Sequence, residues 1–102
     1  MILKKPAMAG TLESSDVQIT LRPNPNGGVQ LNLRSDVMAQ FGDAIRDTVM
    51  EVLKKFDLND VVVDVEDKGA LDFVIRSRLQ CAICRGAEIS YNWAEEDGYG
   101  KQ

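Results

Sequence analysis

The chain has 102 residues, of which 44% are hydrophobic and 27% charged, and its formal net charge is −4 at pH 7. This length suits one domain over residues 1–102, and no run approaches the roughly 20 apolar residues of a membrane span. The acidic balance argues against a sequence-independent nucleic-acid binder, and the absence of histidine excludes Ser-His-Asp and Cys-His nucleophile pairs and histidine metal sites.

The first 16 residues show no clear periodicity, and we expect a loose, mobile N-terminal segment. Near its end, the stretch AGTLESSD at 9–16 places two adjacent serines, Ser14 and Ser15, between two acidic residues. Serine and aspartate are common in turns, so a turn is the simplest interpretation. A serine nucleophile needs a base, and the chain has no histidine to supply one. If these serines are functional, they are therefore attachment points rather than catalysts.

Two short runs with alternating apolar residues follow. VQITLR at 17–22 and VQLNLR at 29–34 each place an apolar side chain at every second position, as in a strand with one buried face. Between them, PNPNGG at 23–28 is a strong turn signal, because proline fixes φ and Asn-Gly permits positive φ. The pattern predicts an antiparallel hairpin.

The next segment has the periodicity of an amphipathic helix. Ser35 suits the N-cap position, and apolar residues then recur every three or four positions. They form one stripe at Met38, Phe41, Ile45, Val49, Val52 and Phe56. After this helix, the valine-rich run at 61–66 predicts a third strand, with alternate valines facing inward.

A second helix is predicted from about Ala70 to Ala87, after a turn at 67–69. Asp72 and Arg76 are four residues apart and should pair on its outer surface. Its apolar stripe comprises Leu71, Ile75, Leu79, Ala82 and Ile83. One-sided strands need a cover, so these elements predict a small two-layer α+β sandwich. Its order is β-β-α-β-α after the loose N-terminal segment, with two amphipathic helices on one face of a small sheet.

The C-terminal tail, residues 91–102, loses the helical periodicity, and we expect it to be flexible. It contains three aromatic residues, Tyr91, Trp93 and Tyr99. Aromatic side chains are enriched at interface anchors, so these residues either dock on a partner or pack back onto the domain.

Cys81 and Cys84 form a CAIC motif within the second predicted helix. A redox CxxC pair normally lies at a helix N-terminus, where the dipole lowers the thiol pKa. This pair lies well inside the helix, so we interpret it as two small apolar side chains that pack, with a thiol–disulfide protein as the alternative. A zinc site would need two further ligands. Two cysteines do not make a disulfide framework, and we expect reduced thiols in a cytoplasmic protein.

The acidic set Asp64, Glu66 and Asp67, followed by Lys68 and Gly69, is another candidate site. A carboxylate cluster of this kind can bind a metal ion or move protons. No calcium-loop spacing is present, however, and charge runs usually lie in solvent. We therefore predict a solvated turn.

Three blocks of sequence resemble the citrate lyase acyl carrier proteins, the gamma subunits of that enzyme complex. They are AGTLESSD at 9–16, QFGDAIRDTV at 40–49 and EDKGALD at 66–72, joined by IRSRL at 75–79. The resemblance covers most of the chain. It implies a carrier that supplies no acid–base residue of its own, in agreement with the lack of histidine.

In that family a serine of the AGTLES block carries 2′-(5″-phosphoribosyl)-3′-dephospho-coenzyme A through a phosphodiester, and the matching residue is Ser14. Ser15 stands where relatives often have glycine, so it is an alternative acceptor. The resemblance implies that the thiol of this arm holds acetyl and citryl thioesters while citrate is cleaved to acetate and oxaloacetate. The implied partners are the alpha acyltransferase subunit, the beta citryl lyase subunit and a prosthetic-group transferase.

Other functions stay open at the level of sequence. The carriers of malonate decarboxylase and of citramalate lyase resemble this family; the three blocks favour citrate lyase over the first and do not separate it from the second. A fatty-acid-type carrier is disfavoured, because that family is a helical bundle with an Asp-Ser-Leu attachment motif, and this chain has predicted strands and no such triplet. A pure interaction module without an attached group is a further alternative.

Overall fold

The computed structural model describes residues 1–89 of the chain. The predicted tail, with Tyr91, Trp93 and Tyr99, lies outside these residues. The described part contains four strands and two helices. In chain order they are β1 (Ala7–Gly10), β2 (Val17–Pro23), β3 (Val29–Ser35), α1 (Met38–Lys55), β4 (Val61–Asp67) and α2 (Asp72–Ala87).

The strands form one sheet in the order β1-β2-β4-β3. β2 is antiparallel to both of its neighbours, whereas β3 runs parallel to β4. Helix α1 connects β3 to β4, and α2 follows β4. Both helices pack on the sheet face that carries Val17, Ile19 and Leu21, and the core lies between the two layers. The prediction of a small two-layer α+β sandwich is confirmed.

The predicted hairpin between β2 and β3 is wrong, because β4 lies between these two strands. Val61, Val62 and Val63 are all buried, so the start of β4 is apolar on both faces, unlike the alternating β2 and β3. Such a strand is most stable in the centre of a sheet, where neighbours cover it and bond both of its edges. The PNPNGG loop crosses the start of β4, where the Gly28 amide donates to Asp60 Oδ1 at 2.9 Å.

The N-terminal segment also differs from the expectation of a loose chain. Ala7–Gly10 form β1, which pairs with the edge of β2. Before it, Leu3 is buried, and the Lys4 amide donates to the Gly86 carbonyl at 2.8 Å. Gly86 permits this approach, because a Cβ there would lie 2.5 Å from Leu3 Cδ1. A four-residue strand is too short to show a periodic pattern, and β1 forms because the edge of β2 offers it a partner.

Helix α1 begins without the predicted serine cap. Val37 occupies the N-cap position and has no side-chain cap bond, while Ser35 is the last residue of β3. The Ser35 hydroxyl accepts from the Val37 amide at 3.0 Å and donates to Asp67 Oδ2 at 2.7 Å. Most of the predicted apolar stripe is buried, but its first two residues are exposed. The buried residues are Ile45, Val49, Val52 and Phe56, and the exposed ones are Met38 and Phe41.

Helix α2 is joined to α1 by the predicted outer pair and two further residues. Arg76 Nε donates to Asp72 Oδ2 at 2.6 Å, and Arg76 Nη1 donates to Glu51 Oε2 of α1 at 2.7 Å. The Thr48 hydroxyl donates to the second Asp72 oxygen at 2.6 Å. The predicted α2 stripe is buried except at its start, where Leu71 is exposed. The buried residues are Ile75, Leu79, Ala82 and Ile83.

Asp67 is buried at the end of β4 and does not lie in a solvated turn as predicted. Its carboxylate accepts from the Ser35 hydroxyl at 2.7 Å and from the amides of Gly69 and Ala70 at 3.1 and 3.0 Å. These bonds satisfy donors that would otherwise be left without a partner. They also join the end of β3 to the connection that leads into α2.

Asp64 and Glu66, the rest of the acidic set, lie on the polar sheet face that the helices leave uncovered. Arg22 Nη2 lies 3.7 Å from Asp64 Oδ2, and Arg34 Nη2 lies 2.9 Å from Glu66 Oε1. Within residues 1–89, no group of three or more histidine, cysteine, aspartate or glutamate side chains could hold a metal ion. The acidic set is therefore divided between one structural carboxylate and two cross-strand ion pairs.

Replacing Asp67 by alanine should lower the free energy of unfolding by about 3 kcal/mol, because one hydroxyl and two amides lose their acceptor. The matched control is Asp64→Ala, which removes exposed interactions and should cost less than about 1 kcal/mol. Urea denaturation followed by circular dichroism measures both losses. Equal losses in the two variants would contradict the structural role of Asp67.

Candidate functional site

The AGTLESSD stretch forms the end of β1 and the turn that leads into β2. This turn lies at the end of the sandwich where β3 and β4 finish and both helices begin, since the first residue of β2 and the last of β3 both pair with Asp67. The connection from β4 to α2 therefore runs beside the turn. The Ser15 amide donates to the Lys68 carbonyl at 2.8 Å, and the Lys68 amide donates to the Asp16 carbonyl at 2.9 Å.

Asp16 holds the turn closed. Its Oδ2 accepts from the Thr11 hydroxyl at 2.6 Å, and its Oδ1 accepts from the Val17 amide at 2.7 Å. Arg78 on α2 adds two parallel hydrogen bonds, from Nε to Oδ1 and from Nη2 to Oδ2, both at 3.0 Å. A doubly bonded arginine–carboxylate pair fixes orientation as well as distance. The turn is thus fastened to the helical layer.

The same contacts keep Asp16 ionised. Hydrogen bonds from Thr11 and Arg78 lower the pKa of the Asp16 carboxyl from its ordinary value of 3.8 to about 2. Burial opposes this shift, while the Val17 amide and the positive charge of Arg78 support it. Because the pKa lies far below neutrality, the ion pair with Arg78 is fully formed at neutral pH.

Two backbone positions in the stretch have positive φ. Gly10 has a φ of 88°, and a Cβ there would lie 1.8 Å from the Val17 carbonyl oxygen, so only glycine fits. Ser15 has a φ of 66°, in the left-handed region that favours glycine. The backbone therefore does not require a serine at position 15.

Ser14 lies in this turn with an exposed side chain. Its hydroxyl makes no hydrogen bond to any residue in the range 1–89. Of the two flanking acidic residues, Asp16 shapes the turn, whereas Glu13 is exposed. The site thus offers an accessible hydroxyl that no side chain of the described residues activates. It can accept a group that another enzyme transfers, but it lacks the base that a serine nucleophile needs.

Sequence reasoning found the two serines but missed Arg78 and Thr11. Arg78 lies two residues after Arg76, so it projects from a different side of α2, toward the turn. A second arginine out of phase with the Asp72–Arg76 pair is the signal that could have found it. Thr11 lies five residues before Asp16, and the side chains of threonine and aspartate often close turns by hydrogen bonding. This spacing is the signal that could have found Thr11.

Cys81 and Cys84 are free thiols on α2 and are partly buried against the core. Burial raises the pKa of the Cys84 thiol, and the neighbouring Cys81 adds to the shift. A redox or nucleophilic cysteine needs the opposite shift, toward the thiolate. The structure therefore supports the packing interpretation.

Comparison with known proteins finds relatives along almost the whole chain. The acyl carrier family model for the malonate decarboxylase delta subunit matches residues 4–86. The citrate lyase acyl carrier protein of Vibrio cholerae serotype O1 (strain M66-2) is 47% identical over 96 residues, which cover 93% of this chain and 98% of that protein. The chain belongs to the citrate lyase acyl carrier protein family. A second member, from Weissella paramesenteroides, is 50% identical over 95 residues, covering 91% and 97% of the two chains.

This membership confirms the resemblance that the sequence motifs indicated. The chain is an acyl carrier protein. Such proteins hold their cargo on an attached prosthetic group and serve as subunits of a larger enzyme. The exposed and unactivated Ser14 hydroxyl is compatible with a carrier, since a carrier needs an accessible attachment point but no base of its own.

Solved structures support the fold. A chain of the Pseudomonas malonate decarboxylase hetero-tetramer in complex with malonate has a TM-score of 0.54 at 21% identity, over 83% of this chain and 87% of that one. At this identity the likeness concerns the fold alone. Neither helix in residues 1–89 is both long and apolar enough to cross a membrane.

Stability should depend on pH through Asp16. Because its pKa is about 2 in the folded chain and 3.8 ordinarily, its contribution is fully present above about pH 4 and is lost as the pH falls toward 2. The loss should reach about 1–2 kcal/mol, since the partly exposed Arg78 is screened by solvent. Urea denaturation of the wild type and of Asp16→Asn between about pH 5 and pH 2 measures it. The variant should lose less stability over this window, and equal losses would contradict the role of Asp16.

The Cys84 thiol should react slowly at neutral pH. Cys84 should react with Ellman's reagent more slowly than free cysteine at pH 7, because burial raises its pKa and limits access. A Cys81→Ala variant isolates this rate, and Cys84→Ala provides the matched measurement for Cys81. Labelling of Cys84 faster than free cysteine would instead favour the thiol–disulfide alternative.

Proposed function

We propose that this chain is the acyl carrier subunit of citrate lyase and that Ser14 carries 2′-(5″-phosphoribosyl)-3′-dephospho-coenzyme A through a phosphodiester. The proposal rests on the Ser14 hydroxyl, which is exposed and makes no hydrogen bond within residues 1–89. The turn that carries it is anchored to the domain by the Asp16–Arg78 ion pair. The relatives named citrate lyase acyl carrier protein supply the enzyme system. In the proposed complex, the chain is a non-catalytic subunit, and the complex is cytoplasmic.

The surroundings of Ser14 fit a large attached group. Glu13, Ser14 and Ser15 are all exposed, so a modifying enzyme meets no side chain that covers the hydroxyl. The Asp16 carboxylate is satisfied by donors of this chain and does not depend on the attached group for its shape. Ser15 is the weaker acceptor, because its backbone is left-handed and its amide is bonded to the adjacent connection.

Attachment joins the Ser14 oxygen to the phosphorus of an activated phosphoribosyl donor. The hydroxyl loses its proton, and the bond between that phosphorus and the donor's leaving group breaks as the new O–P bond forms. The chain has no histidine, and no side chain in residues 1–89 hydrogen-bonds the Ser14 hydroxyl. The base must therefore come from the prosthetic-group transferase.

The chain contributes a fixed origin for a long arm. When attached, the prosthetic group supplies a terminal thiol that holds an acyl group as a thioester. Asp16 and Arg78 hold the turn at the origin of the arm, so the flexibility lies in the arm itself. A flexible tether raises the concentration of its end at a partner site to roughly millimolar for short links. The partners in this proposal are the alpha acyltransferase and beta citryl lyase subunits of citrate lyase.

A second candidate function is that of the malonate decarboxylase carrier. The family model that matches residues 4–86 is the one for the delta subunit of that enzyme. A chain of the malonate decarboxylase hetero-tetramer also shares the fold. Identities of 45% and 50% to citrate lyase carriers, against 21% to that chain, favour citrate lyase. Citramalate lyase uses a chemically similar acid, and no residue of the described site separates it from citrate lyase.

The intact mass of the chain, purified from cells that also make the modifying enzymes, should include the prosthetic group. Peptide mapping of residues 6–22 should place this group on Ser14. Ser14→Ala should remove the added mass entirely, because the attached oxygen is gone. Ser15→Ala is the matched control, since both serines are exposed neighbours, and it should keep the mass because Ser14 is still present.

Two results would change the proposal. Loss of the added mass in Ser15→Ala, with retention in Ser14→Ala, would keep the carrier function and move the site by one residue. An unmodified wild-type chain from such cells would contradict the carrier function. With a loaded chain, turnover of citrate, citramalate or malonate by the corresponding purified subunits identifies the acid.

A further inference from the structure

The end of the sandwich that bears Ser14 also carries an exposed apolar surface. Five of the ten exposed large apolar side chains in residues 1–89 lie at this end. They are Leu12 in the turn, Met38 and Phe41 in the first turn of α1, and Leu71 and Phe73 at the start of α2; we call them the apolar end. Phe41, Leu71 and Phe73 are 53%, 63% and 67% exposed. A cluster of this kind marks a surface that meets another molecule.

A groove of about 290 Å³ lies within the apolar end, between the first turns of the two helices. Phe41 and Ile45 line it on the α1 side, and Leu71 and Ile75 line it on the α2 side. Gly69 also lines the groove and directly follows Lys68, whose carbonyl accepts the Ser15 amide. The groove is therefore continuous with the attachment turn, and a molecule held in it would lie at a fixed separation from Ser14.

The core of the described chain does not use these residues. Met38, Phe41 and Leu71 belong to the apolar stripes that the sequence directs toward the core, yet the buried part of each stripe begins only at Ile45 and Ile75. The stripes thus continue beyond the point where the sheet ends. An apolar extension that stays largely exposed in its own domain is available for contact with a partner.

Charges around the apolar end define the chemistry of that partner. The nearby cations are already paired: Lys68 Nζ lies 3.8 Å from Asp36 Oδ1, and Arg78 is bonded to Asp16. Glu13 is exposed and has no ion pair within residues 1–89, and the whole chain has a net charge of −4. A complementary surface is therefore an apolar projection surrounded by basic side chains.

We propose that the apolar end docks the carrier on a catalytic subunit of its enzyme, at an apolar projection with basic side chains beside the active-site entrance. The inference rests on the proposed carrier function and adds the surface through which the carrier is recognised. Docking through Leu71 and Phe73 would place the Ser14 turn next to the partner, so that the arm starts close to the site that its thiol must reach. Recognition then depends on the protein surface and not on the arm.

Binding of the chain to purified alpha and beta subunits, measured by calorimetry, tests this proposal. The double variant Leu71→Ser, Phe73→Ser should bind at least about tenfold more weakly to one or both subunits, as truncation of interface anchors does. Met50→Ser is the matched control, since Met50 is 41% exposed on α1 but does not belong to the apolar end. It should bind like the wild type. Ser14→Ala, which cannot carry the arm, should also bind like the wild type.

Several results would overturn the proposal. Wild-type binding by the double variant, or an equal loss in Met50→Ser, would exclude the apolar end as the specific contact. Loss of binding in Ser14→Ala would make the arm the contact. The chain has one tryptophan, Trp93. A change in its emission in the free double variant, with the fold intact by circular dichroism, would show that the chain's own tail occupies the groove. These measurements do not use the loading of Ser14, so failure of the carrier function is detected separately by mass.

Discussion

Strand β4 begins with three consecutive buried valines, and a strand apolar on both faces is most stable between two other strands. This requirement places β2 on one side of it and β3 on the other. The start of β2 and the end of β3 consequently meet at Asp67, the last residue of β4. The connection that follows is held between the Ser14 turn and the beginning of α1. The surroundings of an N-terminal serine are thus decided by the burial of a valine-rich strand about fifty residues later in the chain.

Periodicity predicted the layers of the fold but not the order of its strands. Two kinds of pattern indicate which side of an element is buried: the alternation in β2 and β3, and the apolar stripes in α1 and α2. The structure contains both patterns. The choice of which strands pair with each other produces no such periodic pattern in the sequence. The Asn-Gly signal at 23–28 therefore predicts a hairpin, although the loop crosses the start of β4 instead. The sequence does not predict β1 for a related reason. Its four residues form a strand because they pair with β2, and this pairing leaves no pattern within the four residues themselves.

In the candidate site, too, local features can be predicted from the sequence, whereas contacts between distant residues cannot. Ser14 is predicted from a local motif, and its role as the attachment point stays a prediction. Arg78, which fastens the turn, is separated from Asp16 by 62 positions, and only the fold brings them together. Asp67 was interpreted as solvated because charged residues usually are. Three donors converge on it instead, and their convergence depends on strand order, which the sequence pattern does not contain.

The titration behaviour of the carrier follows from its composition and from two of its contacts. Histidine is the side chain whose ordinary pKa lies between about 5 and 8, and this chain has none. The contacts of Asp16 lower its pKa to about 2, and burial raises the pKa of Cys84, so both groups move away from neutrality. Asp16 and Cys84 therefore keep their charge states over the physiological range. Neither group can therefore be the origin of a change with pH in that range.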